Sequence, residues 1–148
     1  MEIIPKIFGK SNIYSYISYV KNDYMRLETV REVVKKALPK IKKYYGMSNY
    51  QDSYPYISFE ESVYDGPLKK GEEEDTEAEF VFQDNEIVIY YPNMKSKKHI
   101  VQTLIHEYQH YLQSPRWFQR YYNMGYRYDN HPYEVTALNE EKNYKRFL

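Results

Sequence analysis

His106-Glu107-Tyr108-Gln109-His110 brings two imidazoles and a carboxylate into little more than one helical turn. Residues four apart on a helix share a face, so both rings can grip one Zn2+ ion. Glu107 sits about 100° round the helix, in reach of a metal-bound water without being a ligand. The H-E-x-x-H pattern arises by chance in roughly 1% of shuffled chains of this composition, so its surroundings must support it. With His106 at zero on a helical wheel, His110 falls at about 40°. Ile100, Val101, Leu104, Ile105, Tyr108, Tyr111 and Leu112 fall between about 120° and 260°. The apolar stripe therefore lies away from the histidines. One face can enter a core while the other lines a cleft.

A zinc hydrolase site needs a third protein ligand and one open position. His99 lies two turns from His106, too far to join. The metzincin pattern would need glycine and histidine three and six residues after His110; this chain has Gln113 and Arg116 there. A glutamate on a second, crossing helix is the alternative. Glu134 lies 24 residues after His110, early in the predicted last helix, with small Ala137 three residues on. Glu140 and Glu141 are the competing carboxylates, expected to be solvated.

The elements that must hold these groups follow from periodicity and punctuation. Leu27, Val30, Val33, Val34, Ala37, Leu38 and Ile41 recur at helical spacing and predict a helix from about Ile13 to Tyr45. Asp23 is a candidate cap, Pro39 a candidate kink and Gly46 the stop. Pro55–Phe59 reads as a short strand. Glu79–Gln83 and Glu86–Tyr91 read as a hairpin about Asp84-Asn85. Ser96 caps the motif helix, predicted to run to about Gln113. Pro115 opens a short helix, 123–130 is a loop, and a last helix runs from about Pro132 to Lys145. The order predicts an α+β fold with an N-terminal helix, a small, mostly antiparallel sheet, the motif helix and a C-terminal helix carrying the third ligand. Residues 1–148 fit one domain.

On His106, Glu107 and His110, the strand-then-helix context, and Glu134 within Pro132-Tyr133-Glu134-Val135-Thr136-Ala137, the chain resembles small single-domain gluzincin metallopeptidases, including those of microbial and phage genomes. The resemblance covers residues from Glu79 through the last helix. It implies a zincin-like fold and a single Zn2+ held by His106, His110 and Glu134. It also implies Glu107 as general base, and hydrolysis of a peptide bond by metal-activated water. An edge strand corresponding to Glu86–Tyr91 would pair with an extended substrate. Larger members stabilise the tetrahedral intermediate with a Tyr or His from a further domain. Only 14 residues follow Glu134 here, so Tyr126, Tyr128, His131 and Tyr133 become the candidates. His131 also has an ordinary reading as a helix cap or a surface loop residue.

Composition bounds the partners. With 21 basic and 21 acidic side chains the net charge is zero, which argues against a nucleic-acid binder held by bulk charge. The absence of cysteine removes disulfides, thiolate chemistry and cysteine-based zinc sites. No stretch has the roughly 18 apolar residues of a membrane span. No signal peptide is evident, so the expectation is a cytoplasmic monomer acting on peptides or proteins. Charge is segregated: net +6 over 1–50, −9 over 51–96 and +3 over 97–148. The acidic run Gly71–Glu79 is read mainly as a solvated loop, with a cleft wall or lid as the alternative. The acidic middle suggests a bias toward substrates with Lys or Arg near the scissile bond. The 20 tyrosines are read as half-buried core margin. Two other readings are a zincin-framed interaction module without proteolysis, and a SprT-like protease of DNA-bound proteins. The missing zinc-ribbon cysteines weaken the latter.

Overall fold

The computed structural model describes residues 9–61 and 76–148, with side chains from Arg26 onward in the first segment. The opening arm through residue 8 and most of the acidic run, up to Asp75, lie outside the described residues.

Helix α1 spans Gly9–Tyr45. It starts four residues before the predicted boundary and runs through Asp23, which is therefore no cap. Pro39 lies inside it without ending it. The ring sits on the exposed face, where the carbonyl that loses its partner can be hydrated. Val30, Val34, Ala37 and Ile41 form the buried stripe. Gly46 ends the helix with φ +79°, its N–H bonded to the Lys42 carbonyl at 2.8 Å. That left-handed conformation is one glycine adopts at little cost.

Three strands form one mixed sheet: β1 (Tyr56–Glu60), β2 (Ala78–Val81) and β3 (Glu86–Tyr90), in the order β1-β3-β2. β2 pairs antiparallel with β3, but β1 pairs parallel with it. The expected mostly antiparallel sheet is thus corrected to one with a single bond pattern of each kind. The expected edge strand is also wrong. β3 is central, and β2 is the outer strand on that side among the described residues. Burial explains the placement: Ile87, Val88, Ile89 and Tyr90 are all buried, on both faces of the strand. The turn differs too. β2 stops at Val81, Phe82–Asp84 form a 3-10 turn, and Asn85 takes φ +48°. Its side-chain amide donates to Ser53 and Tyr54 carbonyls at 3.1 and 3.2 Å. Asparagine tolerates the left-handed region and here adds a clamp to the segment before β1, which is why glycine is not required.

Helix α2 (Lys97–Leu112) lies over the sheet, with the Ser96 hydroxyl accepting the His99 N–H. Ile100, Val101, Leu104, Ile105, Tyr108 and Tyr111 pack against α1, Ile87 and Ile89, as the wheel requires. Buried tyrosines end in hydrogen bonds. Tyr108 donates to the Gly46 carbonyl and Tyr111 to the Ser53 carbonyl, so both pin residues 46–53 onto α2. Helix α3 (Pro115–Asn123) follows at once, capped by Ser114. Helix α4 (Pro132–Glu140) crosses α2 and tightens into a 3-10 segment over Glu141–Phe147. Ala137 is fully buried in that crossing. The fold is α+β, with four α-helices and a three-stranded sheet among the described residues. No described helix is long and apolar enough to cross a membrane.

Candidate metal centre

His106, His110 and Glu134 converge, with one ligand atom from each lying within 4.8 Å of the others. Glu134 is delivered by the start of α4. Its Oε2 lies 3.1 Å from His106 Nε2 and its Oε1 lies 3.0 Å from His110 Nε2. Bonds of 2.0–2.1 Å to a tetrahedral ion would separate ligand atoms by roughly 3.3 Å. The two carboxylate contacts are close to that separation, and one ligand atom from each residue lies within 4.8 Å of the others.

The remaining ring nitrogens are held by acceptors. His106 Nδ1 lies 3.0 Å from Glu141 Oε2. His110 Nδ1 lies 2.8 Å from Gln113 Oε1. Gln113 is turned this way because its Nε2 donates to the Tyr133 carbonyl at 3.1 Å. A carboxylate and an amide oxygen both require a proton on Nδ1. Each Nε2 is thereby the nitrogen that can carry a ligating lone pair. Glu141 is therefore not the solvated residue the sequence suggested; it orients His106. Glu140 is also engaged, accepting from Tyr45 Oη at 2.7 Å and Asn143 Nδ2 at 2.8 Å. Neither is separable by spacing alone, because each partner comes from a different element.

Without a cation the three groups behave as an ion cluster. Burial works to lower the His106 pKa. Hydrogen bonds to Glu134 and Glu141, with the charges of Glu107 and Glu134, instead raise it to about 10. His110 is raised as well, its burial overcome by Glu134 and Glu107. Burial pushes Glu134 up, yet its bonds to both histidines hold it down at about 2. Glu107 is buried and has its pKa raised, chiefly by desolvation, with the two histidines opposing.

A cleft of about 810 Å3 opens over these groups, walled on one side by residues 76–80 of β2 and its approach. Thr103, His106, Glu107 and His110 of α2 form its floor, and Phe118, Tyr128 and Leu138 also line it. Of the four candidates for stabilising a transition state, Tyr128 lines the cleft, whereas Tyr126, His131 and Tyr133 do not. Tyr128 is largely exposed, but partial desolvation at the cleft and the charges of Glu134 and Glu107 raise its pKa, so it stays a hydroxyl donor.

His131 instead caps α4. It is 0% exposed, its Nδ1 accepts the Tyr133 N–H at 3.1 Å, and its Nε2 donates to the Phe118 carbonyl at 2.9 Å. Phe118, Tyr121 and Tyr122 surround the ring with centroids 4.6–5.3 Å away. It joins α3 to α4 three residues before Glu134, consistent with the cap reading. His99 points elsewhere, as expected: its Nε2 lies 2.8 Å from Glu77 Oε1.

No family model, curated protein or solved structure matches this chain.

Proposed function

We propose that the chain is a zinc-dependent metallopeptidase of gluzincin-like design, with a zincin-like fold and Zn2+ held by His106, His110 and Glu134. The observation that carries this reading is the Glu134 carboxylate lying between the two Nε2 atoms of the motif, at 3.1 and 3.0 Å. The donor set of two imidazoles and one carboxylate suits zinc and leaves a position open for substrate or water. A bound zinc ion would supply Lewis-acid polarisation of the scissile carbonyl and acidify water near it.

The chain's own groups do the rest. Glu107 shares the cleft floor with both histidines without belonging to the ligand cluster. Its desolvated carboxylate is a stronger base than a free one. It takes a proton from the attacking water and delivers it to the leaving amine nitrogen as the C–N bond breaks. The Tyr128 hydroxyl donates to the oxyanion that develops on the former carbonyl oxygen. An extended peptide is aligned along β2, Ala78–Val81, rather than along β3.

Metal analysis joined to a broad peptide-cleavage screen tests this. Stoichiometric zinc, with cleavage lost to a chelator and restored by Zn2+, is the expected result. Zinc without cleavage of any peptide would favour the interaction-module reading.

A further inference from the structure

Helix α1 has an outer face that the metal centre does not use, and no residue of α1 lines the cleft. Val30, Val34, Ala37 and Ile41 turn into the core. On the other side Lys36, Lys40 and Lys43, at i, i+4 and i+7, share one exposed line with Lys35 beside it. Residues 33–51 contain five lysines and no carboxylate. Among the described residues no carboxylate side chain pairs with any of these lysines; the ion pair on α1 is that of Arg31 with Glu28, at 3.3 Å. Lys40 Nζ donates to the Leu148 carbonyl at 3.1 Å. The helix dipole accounts for Lys42 and Lys43, which lie in the last turn. It does not account for Lys35 and Lys36, because its effect fades within that turn.

A tyrosine stands against a cation on each flank of this face. Lys42 Nζ lies 5.1 Å from the ring centroid of Tyr54. The Arg146 guanidinium lies 5.1 Å from that of Tyr44, which continues the Lys40 line one turn on. Tyr54 is 39% exposed and Tyr44 50%.

Anionic partners differ in what they offer such a face. A lipid surface takes up the apolar side of a helix, but that of α1 is already buried in the core. An acidic peptide brings carboxylates and no ring faces. A duplex presents phosphates and keeps its base faces stacked inside. A single strand brings phosphates for the lysines and unstacked bases for the tyrosine rings.

We propose that Lys35, Lys36, Lys40 and Lys43, between Tyr54 and Tyr44, bind single-stranded nucleic acid. The lysines neutralise backbone phosphates, and bases stack on the two exposed rings. The zero net charge does not oppose this, because the +6 of residues 1–50 is a local field. The site is independent of the peptidase reading. It lies on the side of α1 away from α2, so a bound strand tethers the protein without entering the cleft.

The test is fluorescence anisotropy with the full chain and labelled single-stranded DNA and RNA of about 15 nucleotides. Binding is expected to weaken by about 100-fold between about 50 and 200 mM salt. Lys35→Gln/Lys36→Gln/Lys43→Gln, all exposed changes, is expected to reduce the slope of log affinity against log salt by about 2. Tyr54→Ala is expected to weaken binding by about tenfold. Lys97→Gln, an exposed change on α2, is the matched control and should leave affinity within about twofold. Circular dichroism melts verify that each variant is folded. No binding at low salt, or equal binding by the triple variant, overturns the proposal. Equal affinity for a duplex with no loss in Tyr54→Ala overturns the single-strand assignment. Binding to phosphatidylserine vesicles and to neither nucleic acid overturns it in favour of a lipid surface.

Discussion

The two oxygens of Glu134 are divided between the two histidines of α2, Oε2 at 3.1 Å from His106 Nε2 and Oε1 at 3.0 Å from His110 Nε2. A carboxylate from a second helix thus sits where three ligand atoms must converge. Behind each imidazole stands one acceptor, Glu141 for His106 and Gln113 for His110. The helix crossing that brings them together is closed by Ala137 and aimed by the His131 cap.

These acceptors should tune affinity without being ligands. Glu141→Gln and Gln113→Ala are each expected to weaken zinc binding by about 10- to 100-fold. Glu140→Gln is the matched control. It loses the Tyr45 and Asn143 contacts and should alter stability while leaving zinc affinity within about twofold. Competition titration with a chromophoric chelator reads all three. Equal affinity in Glu141→Gln and the unmodified protein would remove Glu141 from the centre.

Zinc binding should release protons. The metal-free protein holds His106 protonated up to about pH 10, and ligation needs the neutral ring. Apparent affinity is therefore expected to rise from pH 6.5 toward 10. Calorimetry in buffers of different ionisation enthalpy measures the protons lost; none lost near pH 7 would contradict the cluster.

Stability of the metal-free protein should depend on pH in the opposite sense on its alkaline side. The raised His106 contributes fully below its ordinary value of 6.5 and loses that contribution as pH climbs to about 10. The depressed Glu134 contributes fully above its ordinary value of 4.5 and loses that as pH falls toward about 2. Both are whole only between pH 4.5 and 6.5. Thermal melts of chelator-treated protein should peak in that window, and a melting temperature still rising at pH 9 would contradict it.

Tyr128 and His131 are expected to fail in different ways. Tyr128→Phe should lower kcat by about 100-fold, with KM, zinc content and melting temperature little changed. His131→Ala should cost about 2–4 kcal/mol of stability, because it empties a fully buried site and removes a helix cap. Denaturant unfolding beside steady-state kinetics separates them. A large loss of kcat in folded, zinc-loaded His131→Ala would reopen its catalytic candidacy.

Much of this arrangement is legible in the sequence because it is periodic. The stripe Val30, Val34, Ala37 and Ile41, the far-side placement of the two histidines on α2, and the small residue after Glu134 follow from helical spacing. The acceptors behind the histidines are not legible in that way. Gln113 stands out only as a mismatch to a glycine pattern, yet its amide turns His110 through a carbonyl twenty residues away. Glu141 resembles any surface glutamate until the angle between α2 and α4 sets it against His106. Strand order departs from expectation because a hairpin does not reveal which of its strands a third will join. The unbroken apolar run Ile87-Val88-Ile89-Tyr90 is the available sign that β3 is central. Tyr128 cannot be told from Tyr126 and Tyr133 by spacing, because position in an irregular loop has no period.

In the proposed mechanism Glu107 moves the proton while His106, His110 and Glu134 hold the metal. The direct measurement pairs zinc stoichiometry with peptide-bond cleavage for the unmodified protein and Glu107→Gln. One zinc per chain is expected in both, with a loss of kcat of at least about 100-fold in the variant. Undiminished cleavage by Glu107→Gln, or an unmodified protein that binds no zinc, would contradict it.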